Sequence, residues 1–134
     1  HVGQGDLSIA DCREILHPDQ IVGKSNALLD EAIASFDEGA DYVAVGSIYE
    51  TDTKSDTRPA GLSTLRAVSE RVTAPIVAIG GIKADNILPV AEAGADCVCV
   101  ATAVTSAIDP AEATRELVRR FESARVRSRS LDPR

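Results

Sequence analysis

The chain has 134 residues and is 44% hydrophobic, which suits a single domain with an apolar core. Its formal net charge of −7 argues against a nucleic-acid binder, because such proteins normally carry a basic surface. No apolar run approaches the roughly 20 residues of a membrane helix, and three cysteines without metal-binding spacing predict free thiols in a reducing cytoplasm.

Short apolar runs alternate with amphipathic stretches along the chain. The runs are typical of strands buried on both faces, and they cover residues 21–23, 42–45, 76–79 and 97–100. The stretches have the apolar spacing of helices, and they cover residues 9–16, 28–36, 62–72, 84–93 and 110–125. Asp109 before Pro110 is a typical helix start, with aspartate as the N-cap.

This alternation predicts an α/β fold with a parallel sheet and right-handed crossovers. An internal repeat, residues 38–45 and 93–100, supports a chain built from β/α units. An open doubly wound sheet and a barrel both fit the pattern, but no Gly-x-Gly-x-x-Gly motif opens a helix, so a dinucleotide fold is weakly supported. Cys97 and Cys99 alternate on one strand, which predicts that both are buried on the same side.

Two glycines follow the third predicted strand, and a hydroxyl follows the fourth. Gly80 and Gly81 allow a close approach of the backbone to a ligand, and Ala101 and Thr102 lie at the next strand end. In phosphate-binding barrels the phosphate lies between the loops after the last two strands, which favours the barrel. The alternative interpretation is a tight turn that needs glycine for steric reasons alone.

The segment 47–54 follows the second predicted strand and is rich in hydroxyl groups. Lys54 can neutralise a phosphate, and Thr51 and Thr53 can donate hydrogen bonds to one. A polar surface loop of no further function has the same composition. The segment therefore indicates a phosphate contact without excluding that alternative.

Two further polar positions lie near strand ends. Asp6 can hold Mg²⁺, which prefers oxygen ligands, but either Asp6 or Ser8 can equally cap the helix that begins at residue 9. Ser25 is a weaker signal of the same kind. His1 and His17 are the only histidines, and neither is expected at an interior strand end, so no Ser-His-Asp set is predicted.

These motifs resemble the thiamine-phosphate synthase family. The matching segments occur in the family's order, at residues 1–6, 23–25, 46–54, 78–82 and 94–96. The Thr-x-Thr-Lys loop followed at this spacing by Ile-Gly-Gly-Ile is the most specific part. The resemblance covers nearly the whole chain and implies a (β/α)8 TIM barrel. It also implies a transferase that joins hydroxymethylpyrimidine diphosphate to a thiazole phosphate and releases pyrophosphate.

The resemblance also implies roles for individual residues. Asp6 would be a Mg²⁺ ligand, and Ser25 and Lys54 would be catalytic residues in contact with the pyrophosphate. The residues implied to hold the thiazole phosphate are Thr51, Thr53, Gly81, Ala101 and Thr102. The implied partners are thus small-molecule substrates with Mg²⁺ as cofactor, and neither nucleic acid nor membrane.

Two positions depart from the family pattern. Ala27 stands two residues after Ser25, where the family usually has histidine, and Glu50 stands where it usually has proline. The related thiazole tautomerases carry their acid–base histidine in the segment after Ser25 and tend to lack the aspartate at the place of Asp6. Both features favour the synthase over a tautomerase. A non-catalytic phosphate-binding partial barrel is the third hypothesis.

The first residues resemble the end of a strand. We therefore expect a partial barrel without about the first three β/α units, formed by residues 1–125 and followed by an Arg-rich, disordered tail, 126–134. By the resemblance, the other units would supply a second Mg²⁺ carboxylate and the pyrimidine-binding side chains, so this segment alone is expected to be inactive. An open sheet edge further predicts a homo-oligomer or aggregation.

Overall fold

The computed structural model describes residues 1–50 and 59–131, with side chains described as far as residue 125. Helices and strands alternate over these ranges. In chain order the elements are α1 (Ile9–Ile15), β1 (Gly23–Asn26), α2 (Leu29–Asp37), β2 (Tyr42–Gly46), α3 (Gly61–Arg71), β3 (Ile76–Ile79), α4 (Ile87–Glu92), β4 (Cys97–Cys99), α5 (Thr102–Thr105) and α6 (Pro110–Leu131). Each predicted strand and helix overlaps one of these elements. The short helix α5 was not predicted.

The last helix begins as its sequence predicts. The Asp109 carboxylate accepts a hydrogen bond from the Glu112 N–H at 2.9 Å, which confirms Asp109 as the N-cap. Helix α6 continues to Leu131, beyond residue 125, and the division of the chain into a barrel segment and a tail stays a prediction. Within the described ranges, no helix combines the length and apolarity that crossing a bilayer requires.

The sheet is parallel, and its strands lie in the order β1-β2-β3-β4. Val2 extends this sheet beyond β1, because its N–H donates to Gly23 O and its carbonyl accepts from Ser25 N, both at 3.0 Å. The prediction that the first residues end a strand agrees with this bridge. Strands that follow each other both in space and in sequence are the arrangement of consecutive β/α units in a barrel.

The two faces of the sheet differ in burial. Val43, Val45 and Ala78 share one face and are fully buried against a cluster of helix side chains from α2, α3, α4 and α6. The register places Cys97 and Cys99 on the other face, and both are exposed. The prediction that they are buried is therefore wrong. β4 is an edge strand of the described sheet. On the face that carries Cys97 and Cys99, the described helices do not cover it.

The internal repeat places an aspartate before β2 and another before β4. The Asp41 carboxylate accepts a hydrogen bond from Val22 N at 2.6 Å, and the Asp96 carboxylate accepts one from Ile76 N at 3.0 Å. The backbone N–H of each aspartate also donates to the carbonyl of the same partner residue. Each repeat thus ties the start of one strand to the start of its neighbour. These contacts lie at the amino ends of the strands, where a barrel keeps its structural rather than its chemical residues.

Asp41 is expected to make stability depend on pH. The Val22 N–H and the Arg13 guanidinium, 2.6 Å away, hold the pKa of its carboxyl below the ordinary value of 3.8. A lowered folded-state pKa adds stability that is present above about pH 4 and is lost as the pH falls through the folded value. Asp41→Asn should lower the free energy of unfolding at pH 7 by about 1 kcal/mol, since water screens this half-exposed pair.

The measurement is thermal unfolding from pH 7 down to pH 2 for the parent and for Asp41→Asn. The parent should unfold at a higher temperature than the variant at pH 7, and this difference in Tm should shrink as the pH falls below about 4. Asp19→Asn is the control, because the Asp19 carboxylate is exposed and its contact among the described residues is with the His17 ring, 3.5 Å away. Parallel pH curves for the parent and Asp41→Asn would contradict the assignment.

Candidate active site

Five of the eight predicted site residues lie at or just after the carboxyl ends of the parallel strands, at one edge of the sheet. Asp6 follows the Val2 bridge, Ser25 lies in β1, Gly81 follows β3 and Thr102 follows β4. The shared direction of the strands places these residues at the same edge of the sheet, as an active site on a barrel requires. Thr51, Thr53 and Lys54 lie outside the described residues, so the structure does not test the roles predicted for them.

The loop after β3 depends on its glycines. Gly80 has a φ of +101° and Gly81 a φ of +66°, conformations that other residues rarely adopt. A Cβ atom on Gly81 would lie 2.6 Å from the carbonyl oxygen of Glu50, and one on Gly80 would lie 2.8 Å from Ser47. The turn alone therefore requires both glycines. A bulky substitution at Gly81 would disturb the loop itself and cannot test phosphate binding.

Ser25 has a partner that the sequence did not predict. The Ser25 hydroxyl lies 2.8 Å from Nε2 of His1, and Nδ1 of His1 lies 2.8 Å from the hydroxyl of Tyr42. The His1 and Tyr42 rings are stacked, with centroids 5.7 Å apart. His1 precedes the Val2 bridge beside β1, so it does not lie at an interior strand end, although its ring reaches Ser25. The residue that would take the place of the aspartate in a catalytic triad is a tyrosine, so no Ser-His-Asp set forms here.

The two interpretations of Asp6 and Ser8 are separated by the structure. Ser8 caps α1, because its hydroxyl accepts from Asp11 N at 3.0 Å and the Asp11 carboxylate bonds back to Ser8. Asp6 is exposed and takes no part in that cap. Its Oδ2 accepts a hydrogen bond from Gly3 N at 2.6 Å, which fixes the carboxylate in the turn after the Val2 bridge.

Ala101 and Thr102 lie where β4 leads into the short helix α5. Both residues are exposed, and Thr102 is the first residue of α5. Their position at the strand end next to the glycine loop agrees with the predicted pairing of these two loops. Within the described residues, their carbonyl groups accept main-chain hydrogen bonds in the turn of α5. Their contact with a ligand stays a prediction.

The geometry defines a segment of a (β/α) barrel whose strand ends carry hydroxyl, carboxylate and glycine-loop groups. A family model described as thiamine monophosphate synthase matches residues 1–104. The thiamine-phosphate synthase of Shouchella clausii is 44% identical over 125 residues, which are 92% of this chain and 60% of that protein. The corresponding protein of Natronomonas pharaonis is 49% identical over 121 residues, 87% of this chain and 56% of that protein.

A solved structure agrees with these sequence matches. Thiamine phosphate pyrophosphorylase from Pyrococcus furiosus superposes with a TM-score of 0.83 at 40% identity, over 92% of this chain and 58% of that chain. The chain belongs to the thiamine monophosphate synthase family. It spans 60% of the Shouchella relative and 56% of the Natronomonas relative. These findings confirm the predicted family and a fold that is part of a barrel.

Proposed function

We propose that the complete protein containing this chain is a thiamine-phosphate synthase. In that reaction the ring nitrogen of a thiazole phosphate forms a bond to the methylene carbon of hydroxymethylpyrimidine diphosphate. The bond between that carbon and the diphosphate oxygen breaks, and its electron pair leaves with pyrophosphate. The observation that carries this proposal is the family match over residues 1–104.

The Ser25 hydroxyl is proposed to donate to the leaving pyrophosphate. One tautomer of His1 supports this role: Tyr42 donates to Nδ1, and the Nε2 proton then donates to the Ser25 oxygen. In that arrangement the Ser25 proton is left to point at an acceptor. A donor aimed at charge that develops on a leaving group contributes directly to rate. Lys54 is proposed to act beside Ser25 as the cation on the same pyrophosphate.

The thiazole phosphate is proposed to bind where the loops after β3 and β4 meet. The backbone N–H groups around Gly81 suit an anion, and Thr102 adds a hydroxyl from the next loop. Ala101 would contribute its backbone, and Thr51 and Thr53 would approach from the loop after β2. Binding through main-chain N–H groups explains why few cations are needed at this end of the site.

Asp6 is proposed to hold Mg²⁺. This ion is commonly bound by one or two carboxylates and completes its shell with water and substrate phosphates. The exposed Asp6 carboxylate fits that mode, and the described residues contain no cluster of three acidic, histidine or cysteine groups that would form a complete protein cage. When bound, the ion would neutralise charge on the departing pyrophosphate.

The same proposal covers the surroundings of the enzyme. Its partners would be two small phosphorylated substrates, and its place the cytoplasm, where the free thiols Cys12, Cys97 and Cys99 remain reduced. The apolar, exposed face at β4 is compatible with a homo-oligomer. A barrel of this type needs neither nucleic acid nor a membrane for its reaction.

The test is to incubate the complete gene product with both substrates and Mg²⁺ and to measure pyrophosphate release. We expect release only when both substrates are present, together with thiamine phosphate identified by its mass. Isomerisation of a thiazole carboxylate phosphate without pyrophosphate release would favour the tautomerase. Binding of either phosphate compound without any turnover would favour a non-catalytic phosphate-binding protein.

A further inference from the structure

Two consecutive peptide groups in the loop after β3 have their carbonyl oxygens held by neighbouring residues. The Gly80 carbonyl accepts from Tyr49 N at 3.1 Å, and the Gly81 carbonyl accepts from Nδ2 of Asn86 at 3.0 Å. Both peptide bonds are trans, so the N–H of each points away from its carbonyl. The N–H groups of Gly81 and Ile82 therefore point away from Tyr49 and Asn86.

These two N–H groups have no acceptor within residues 1–50 and 59–131. Consecutive main-chain N–H groups that point to one side form a concave site for an anion. The direction of the Ile82 N–H depends on the carbonyl of Gly81, and among the described residues the side chain that holds that carbonyl is Asn86. The anion-binding geometry of this loop thus depends on a residue that points away from the anion.

The structure also explains why this residue is an asparagine. Oδ1 of Asn86 accepts from Lys83 N at 2.7 Å, which leaves Nδ2 as the group that faces the Gly81 carbonyl. A side chain at this place must be an acceptor on one side and a donor on the other, and aspartate, serine or alanine cannot be both at this reach. The main-chain carbonyl of Asn86 is itself fixed, because it accepts a hydrogen bond from the Tyr49 hydroxyl at 2.8 Å.

Tyr49 remains a donor over the physiological range. Burial raises the pKa of its hydroxyl above 10.0, and the charge of Asp85 acts in the same direction. Tyr49 links the end of β2 to the segment after β3 through two donors: its main-chain N–H bonds to Gly80 O, and its hydroxyl bonds to Asn86 O. Asn86 occupies the middle of this link.

We propose that Asn86 is the positioning residue of the phosphate loop, which it holds with the N–H groups of Gly81 and Ile82 aimed at a phosphate. The proposal rests on the proposed function for the identity of the ligand, the thiazole phosphate. Asn86 itself does not touch the ligand. Tyr49 supports it from the adjacent loop, so Tyr49→Phe should have the same effect at a smaller size.

The test uses the complete gene product in three variants. Asn86→Ala removes the donor to Gly81 without adding charge, and Asn86→Asp keeps the acceptor for Lys83 N but loses the donor. Asp96→Ala is the matched control, because it removes a side-chain hydrogen bond to the main chain at the start of β3, whereas Asn86 bonds to the loop after that strand. Thermal unfolding should show a comparable loss of stability for the alanine variants.

The probe is inorganic phosphate, followed through the ¹⁵N amide signals of Gly81 and Ile82. We expect both signals to shift in the parent and in Asp96→Ala, and the affinity to fall roughly tenfold in Asn86→Ala and further in Asn86→Asp. In the assay of pyrophosphate release, Asn86→Ala should raise KM for the thiazole phosphate, with little change in KM for the pyrimidine diphosphate. Phosphate affinity that is unchanged in Asn86→Ala, or that falls equally in Asp96→Ala, would overturn the proposal.

The two proposals fail separately. Phosphate binding that depends on Asn86, in a protein that releases no pyrophosphate, would support the positioning role and contradict the synthase function. Synthase turnover with a KM for thiazole phosphate that is unaffected by Asn86→Ala would support the function and overturn the positioning role.

Discussion

Asp6→Asn is expected to lower the turnover of the complete protein about 100-fold, because it removes a charged oxygen from the proposed Mg²⁺ site. The concentration of Mg²⁺ that gives half-maximal activity should rise as well. Asparagine still offers an acceptor for the Gly3 N–H, 2.6 Å from Oδ2 in the parent, so the turn itself should persist. The measurement is the initial rate of pyrophosphate release over a Mg²⁺ titration.

Asp19→Asn is the control for this variant. Asp19 is exposed, follows α1 and precedes β1, and so lies at the amino end of the strands. The Asp19→Asn substitution removes one negative charge, as Asp6→Asn does, but at a position away from the proposed site. An unchanged Mg²⁺ titration in Asp6→Asn, or an equal loss in Asp19→Asn, would rule out Asp6 as a ligand.

The fold was predictable because apolar periodicity reports burial directly. β1 shows where this fails. The prediction placed the strand on the apolar residues 21–23, whereas the ladder runs through the more polar Gly23–Asn26. The buried amide of Asn26 explains the difference, since Nδ2 donates to Ala44 O and Oδ1 accepts from Ser35. A polar residue satisfied by long-range partners leaves no periodic signal.

The start of α4 shows a similar limit. Apolar spacing predicted a helix from residue 84, but the helix begins at Ile87. The intervening residues are used in the turn in which Lys83 N donates to the side chain of Asn86. Side-chain bonds to the local backbone compete with helix formation, and their outcome depends on what the turn must support.

The sequence predicted at which strand ends the candidate residues lie, but not the contacts they make. Motifs near successive strand ends proposed Asp6, Ser25 and the glycine loop as candidates. The contact of His1 with Ser25 joins residues that only the pairing of neighbouring strands brings together. Likewise, Tyr49 reaches Asn86 across two loops. Sequence spacing reports which strand end carries a residue, whereas the directions of side chains depend on register and on partners far along the chain.

The polypeptide of residues 1–134, prepared by itself, is expected to associate with copies of itself in solution. In the described sheet β4 pairs on one side only, with β3, so the other side of Cys97–Cys99 presents backbone groups that can pair with another chain. Val77 and Ile79 lie beside these cysteines on the face that the helices leave uncovered. An open edge next to apolar surface favours association through strands or faces.

The experiment is sedimentation equilibrium over a wide range of protein concentration, with a reducing agent present so that disulfides between exposed thiols do not contribute. The double variant Cys97→Lys and Cys99→Lys should weaken self-association about tenfold, because charges on an edge strand oppose its pairing with another chain. Val118→Lys is the matched control, since Val118 is an exposed apolar residue on α6, 48% accessible and away from the sheet edge. A parent chain that stays monomeric at every concentration would refute the prediction. Equal weakening by Val118→Lys would also contradict it, because an interface at β4 should be weakened by the lysines at β4 and not by a lysine on α6.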